Sequence, residues 1–230
     1  EGDFTMVMGY PGHTNRYITS YDVKYIMDVT NPVRVQVRDA KLKILNDYMS
    51  TGPKAKIQYA AKYAQSSNYY KYSIGQNNGL NNLNVIERKK ALENEFIQWA
   101  NSNEAIKAKY GKALDYIADS YTHADAAKAQ EYLAEAMIRG PEIFSFAYRA
   151  LPLYRLLSEE DIKNEFIDMI KSRVTNGMDT HFKDYNAETD QKVTGTLLAL
   201  YAENNNPAFH PDFFSDVKKK YKGNFMKYTE

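Results

Sequence analysis

An all-α fold, with a short β stub at its start, is what three features of this sequence predict. Apolar residues recur at helical spacing through most of the chain, and Asn, Gly and Pro punctuate those stretches at short intervals. Strand-like composition is confined to the first 21 residues.

Residues 4–9, Phe-Thr-Met-Val-Met-Gly, carry strand formers and run into a turn at Tyr10-Pro11-Gly12. Residues 16–21, Arg-Tyr-Ile-Thr-Ser-Tyr, read as a second strand. Two strands are not stable by themselves, so they are expected to belong to a sheet whose remainder lies elsewhere in a longer protein. The absence of an initiator methionine and of a signal peptide points the same way.

Helix follows. Asn31-Pro32 is a start signal, a capping residue before proline at the first helical position, and Val37, Ile44, Leu45, Tyr48 and Met49 mark an apolar side up to Ser50. Gly52-Pro53 opens a second helix, to about Ile74, with a loop and a possible short helical turn over Gly75–Asn82. A third runs from about Leu83 to Asn101, using Ile86, Leu92, Phe96, Ile97 and Trp99. Asn103 caps a fourth, Glu104–Tyr121, with a stripe of Ile106, Tyr110, Leu114, Ile117 and Tyr121. The fifth spans Ala124–Arg139 and stops at Gly140-Pro141, and the sixth, Pro141–Leu157, contains Pro152, which should kink or end it. Ser158 with Asp161 forms a capping-box variant before the seventh, Glu159–Asn176, stopped by Gly177. An eighth covers Glu188–Asn204, and Pro211–Lys222 reads as a last helix. The sum is seven to nine helices with short connections, and no 30–45-residue repeat that would mark a solenoid.

A chain of 230 residues with 43% apolar content can bury one sizeable core. Lys+Arg 30 against Asp+Glu 29 leaves a net charge of +1, and the nearest basic cluster, Lys218–Lys220 with Lys222, reads as a solvated helix face. No nucleic-acid partner is indicated. Cysteine is absent, which excludes disulfides, thiolate zinc sites and cysteine nucleophiles together. No apolar run is long enough to span a bilayer as a helix. The 20 tyrosines suit helix surfaces lining a wet cleft, or simply a tyrosine-rich core.

Little of the sequence suggests catalysis. Of His13, His123, His181 and His210, two stand two residues from an aspartate, as Asp179-x-His181 and His123-x-Asp125. On a helix such pairs point to different faces, and neither has a third ligand nearby. No serine has a nucleophile context, and Gly75–Gly79 lacks the lysine of a phosphate loop. Glu93, Glu95, Glu159 and Glu160 lack partners that would raise their pKa values. No metal, cofactor or complete active site is implied.

The candidate binding residue is Asn68, within Ser67–Leu80. At helical spacing it aligns with Ile57, Ala61, Ala64, Tyr72 and Gly75, all small or apolar, so this face is expected to press against something. An unpaired buried amide costs about 1–3 kcal/mol, so either the protein or a ligand must partner it.

The opening block Gly2-Asp3-Phe4-Thr5-Met6-Val7-Met8-Gly9-Tyr10-Pro11-Gly12, continued by Thr14-Asn15-Arg16-Tyr17, resembles a segment of bacterial dipeptidyl aminopeptidases of the dipeptidyl-peptidase-7 and -11 type. Ser67-Asn68-Tyr69-Tyr70-Lys71-Tyr72-Ser73-Ile74-Gly75 is similar to a second block, and Asn186–Asp190 to a weaker third. These are serine peptidases with a chymotrypsin-like double β-barrel and a helical domain inserted between the barrels. The resemblance implies that residues 1–22 end the first barrel and that residues 23–230 form the helical lid. The His-Asp-Ser triad would lie in the barrels, outside this chain, so none of the four histidines takes that role and the fragment alone should be inactive. The residue that selects the side chain next to the cut would also lie outside.

The lid of such an enzyme covers the cleft and helps hold the oligopeptide's free N-terminus, so that dipeptides are released. An asparagine of the helical domain contacts that amino group in the family, and the matching position is Asn68, with Asn77 and Asn78 as neighbouring alternatives. The partners the resemblance implies are the substrate N-terminus and the barrels of the same chain, in a homodimeric parent located in the periplasm or at the cell surface. A reading from another class is a stand-alone helical module binding a peptide or partner helix without catalysis. A metal-dependent helical enzyme is the poorest of the three.

Overall fold

The computed structural model describes residues 14–157 and 164–230, with residues 2, 4, 6 and 12 before them. Its first helical run does not begin where the proline signal places it. A capping box at Thr19 starts the helix: Asp22 donates its backbone N–H to the Thr19 hydroxyl, and the Asp22 carboxylate accepts the Thr19 N–H at 2.9 Å. From there α1 (Ser20–Tyr25), a π-helical turn (Ile26–Thr30) and α2 (Asn31–Met49) follow without a break.

This corrects two expectations. The strand over residues 16–21 is absent: Arg16 and Tyr17 form a turn, and Ser20 is already helical, with its hydroxyl donating to Glu93 at 2.7 Å. Local β preference yields there to the cap and to docking on a distant helix. Among the described residues there is no strand, and most of the expected strand over residues 4–9 lies outside them. Asn31-Pro32, in turn, stands inside a helix instead of opening one. Proline cannot donate to the carbonyl four residues back, and the wide turn ahead of it accommodates the missing bond.

α3 (Pro53–Asn82) packs back along α2 and runs through the expected loop at Gly75–Asn82. Its C-terminal part is tied to the π turn. Asn77 donates to the Met27 carbonyl at 3.0 Å, and buried Asn31 donates to Gln76 (3.0 Å) and Asn77 (2.6 Å). Asn84, in the left-handed conformation that asparagine tolerates, turns the chain into α4 (Val85–Ala100). The expected helix over Glu104–Tyr121 divides at Gly111 into α5 (Glu104–Tyr110), capped by Asn103 as read, and α6 (Ala113–Ser120).

α7 (Ala124–Tyr132) ends in a second π segment, Leu133–Ile138. α8 (Glu142–Leu157) continues through Pro152, and α9 (Asn164–Phe182) continues through Gly177, where the glycine was expected to stop it. Contacts of Phe146 with the rings of His181 and Phe182 hold that last turn onto α8. The cap at Ser158 lies outside the described residues.

α10 (Ala187–Asn204) is the centre of the core. Val193, Leu197, Leu198 and Tyr201 meet Val33, Val37 and Leu45 of α2, Tyr59 of α3, and Tyr132 and Ala136. α11 (Phe213–Tyr221) and the unanticipated α12 (Phe225–Thr229) close it with Phe214, Val217 and Phe225. Gly195 lets α12 approach closely, since a β-carbon there would stand 3.1 Å from the Met226 α-carbon.

Asp190, buried on α10, joins this core to α8. Its carboxylate accepts the backbone N–H groups of Glu142 (2.6 Å) and Ile143 (2.9 Å) at the start of that helix. Burial nevertheless prevails over those bonds and raises its pKa above the ordinary 3.8. The folded chain therefore holds a proton on Asp190 at a pH where the unfolded chain has lost it. Its contribution to stability is complete below the ordinary value and is lost as pH rises through the raised one. Asp190→Asn should remove this dependence, flattening the plot of denaturation midpoint against pH just above 3.8. An identical slope in both proteins would refute the assignment.

Candidate functional site

α3 has two unlike faces. Ala55, Tyr59, Ser66 and Ser73 are buried toward the core. Opposite them, Ile57, Ala61, Ala64, Asn68, Tyr72 and Gly75 are all exposed. The face expected to press against something is thus uncovered among the described residues: Ile57 is 80% and Tyr72 53% exposed. Asn68 is mid-helix, not at a helix end, and its amide faces solvent. The demand for buried amide partners falls instead on Asn31. Asn77 has both ends of its amide engaged, by Asn31 and by the Met27 carbonyl, whereas Asn78 is exposed.

Beside this ridge, α2, α3, the second π segment, α8 and the end of α9 enclose a cavity of about 690 Å³. Sequence reasoning missed it. Arg34, Arg38 and Lys41 reach it from α2, and Lys62, Ser66 and Tyr69 from α3. Glu135, 2% exposed, sits at its floor and accepts from three guanidiniums. Arg38 and Arg34 lie over the Tyr69 ring, 4.9 and 5.9 Å from its centroid. Burial lowers the Arg38 pKa, and the Glu135 charge opposes that shift. The one signal in the sequence was the spacing of Arg34, Arg38 and Lys41, which puts three cations on one side of a helix.

The histidines do not converge. His181 lines the cavity, His210 stacks near Tyr201 and Phe214, and His123 is exposed ahead of α7; His13 lies outside the described residues. Asp179 and Asp125 are exposed. Among the described residues no group of three or more His, Asp or Glu side chains is placed to hold a metal ion. Glu93 is occupied by Ser20, and Glu159 and Glu160 lie outside the described residues. Among the described residues no helix is long and apolar enough to cross a membrane.

The peptidase S46 profile matches residues 1–230 from end to end. The chain belongs to the peptidase S46 family. Within it, the chain is 36% identical over 231 residues to dipeptidyl-peptidase 7 of Porphyromonas endodontalis, covering 100% of this chain and 27% of that protein. It is 35% identical to the Asp/Glu-specific dipeptidyl-peptidase of Flavobacterium psychrophilum, covering 96% of this chain and 31% of that one. Among solved structures it is similar to the DPP11 of Porphyromonas endodontalis in complex with the dipeptide Arg-Asp, with a TM-score of 0.70 and 25% identity over 96% of this chain and 31% of the other. The same enzyme with Arg-Glu gives a TM-score of 0.68. The chain therefore spans about a third or less of its S46 relatives, and its all-helical architecture is that of a helical part of the S46 structure.

Proposed function

We propose that this chain is the substrate-covering helical domain of a serine dipeptidyl aminopeptidase, with residues 23–230 as the cover and residues 1–22 leading from the first barrel. The observation that carries the reading is the exposed face of α3: apolar and aromatic side chains that no described residue covers, with the exposed amide of Asn68 among them. Such a face suits a barrel cleft of the same parent chain with a peptide between. The Asn68 amide oxygen would accept from the substrate's terminal ammonium without adding a charge. Release of dipeptides, a periplasmic or surface location and a dimeric parent belong to the same proposal.

Asn68→Ala in the full-length enzyme should reduce kcat/KM for dipeptide release about ten- to a hundredfold, as expected for one hydrogen bond to a charged group. Its thermal midpoint should not move, since Asn68 is exposed. Unchanged kcat/KM would take the residue out of the site.

A further inference from the structure

The cavity beside α3 is walled by groups that give hydrogen bonds and have few acceptors to give them to. Arg34 donates to Glu135 at 3.3 Å, Arg38 at 2.9 Å and Arg139 at 3.1 Å. A guanidinium has five N–H donors and no acceptor, so one carboxylate leaves most of the three forks unspent. Glu142, the other carboxylate on the wall, is taken by Lys62 at 2.6 Å.

Two neutral donors complete the lining. Ser66 is 3% exposed, and its hydroxyl has no partner among the described residues. Arg149 contacts Nδ1 of His181 at 2.9 Å. Since arginine only donates, Nδ1 is the acceptor and the proton is on Nε2, which is buried and also without a partner. Burial and the Arg149 charge lower the His181 pKa, which keeps it in that neutral state at neutral pH.

We propose that this cavity binds an oxyanion, a carboxylate or phosphate group, through the unspent N–H groups of Arg34, Arg38 and Arg139 and the hydroxyl of Ser66. Such a group presents two or more charged acceptor oxygens, which is what this wall lacks. A cation or an apolar ligand would leave the remaining N–H groups and the Ser66 hydroxyl as they are, without a partner. An ordinary solvated basic face differs in two respects: its hydroxyls are wet, and its arginines are not held in place by a buried carboxylate beneath and a tyrosine ring beside them. Ser73, the other buried hydroxyl of α3 without a partner, does not line the cavity and reads as a small packing residue. The volume exceeds one anion, leaving room for the body of an acidic peptide side chain. The proposal is independent of the role given to Asn68.

Calorimetric titration of the full-length protein at low salt tests it with three probes: N-acetyl-diglutamyl amide, its diglutaminyl counterpart, and inorganic phosphate. The acetyl group removes the amine that Asn68 would hold. The diglutamyl probe should bind at least about tenfold tighter than the diglutaminyl one, and Arg139→Gln should cost about tenfold in its affinity. Ser66→Ala should cost about threefold. Arg139 is largely solvent-facing, and a retained thermal midpoint shows that either variant is folded. Binding of phosphate but not of the diglutamyl probe upholds the oxyanion chemistry and assigns it to a free anion. Binding by neither probe, equal affinity for the two peptides, or affinities unmoved in both variants would overturn the proposal. Asn68→Ala should impair dipeptide release while leaving this titration unchanged, so the two readings fail separately.

Discussion

Replacing Glu135 by glutamine should lower the unfolding free energy by about 3–5 kcal/mol, the range for removing one partner of a buried ion pair. Glu135 is 2% exposed and holds Arg34, Arg38 and Arg139 together at the end of the core. Without its charge, three guanidiniums face one another in a half-enclosed space. Their mutual repulsion is then opposed only by whatever water can enter. The exposed pair Lys192–Glu188 is the control: it lies along one helix in full solvent, and Glu188→Gln should leave the denaturation midpoint where it is. A change below about 1 kcal/mol at Glu135 would mean that the arginines are hydrated well enough not to need it.

Tyr59→Ala should be comparably damaging, about 3–5 kcal/mol, because a fully buried aromatic side chain leaves a cavity that helices cannot collapse into. Tyr59 faces Tyr48 edge-on with ring centroids 4.9 Å apart, and Lys62 lies 4.2 Å from its ring centre. Its hydroxyl accepts the backbone N–H of Asn186 at 3.2 Å, just ahead of α10. Tyr59→Phe keeps the ring and strands that N–H, for which about 1–3 kcal/mol is expected. The two variants thus separate packing from polar satisfaction. Equal losses in urea denaturation would show that the hydroxyl carries the effect and the ring does not.

The helical class was legible because the apolar periodicity is long and consistent, and Asn103 could be read as a cap because capping is local. Where the reading failed, a distant contact had overruled a local signal. Gly75 does not end α3, because Gln76 and Asn77 beyond it are anchored on Asn31 and Met27. Gly177 does not end α9, because His181 and Phe182 rest on Phe146. Asn31-Pro32 looks like a beginning only when the cap at Thr19 is not weighed against it. The basic cavity was harder still. Its cations come from α2, α3, α8 and the chain between, and each in isolation is an ordinary surface charge. Glu135, the residue that collects them, does stand alone as a charge in the apolar run Leu133–Ile138, but that run does not say which cations meet it.

The wide turn at Ile26–Thr30 makes the count of residues between Thr19 and Pro32 matter. Each residue of an α-helix is about 100° of rotation, so an extra residue wound at even α pitch would turn the preceding segment by that angle, whereas the wide turn takes the residue up within one revolution. Wound as even α-helix with the same residue count, the segment would carry Tyr25, which donates to Glu131 at 3.3 Å, and Asp22, which accepts from Tyr121, off those partners. The compass bearing of the segment Thr19–Tyr25 is therefore geared to this single notch in the helix, much as a key sets the phase of a shaft.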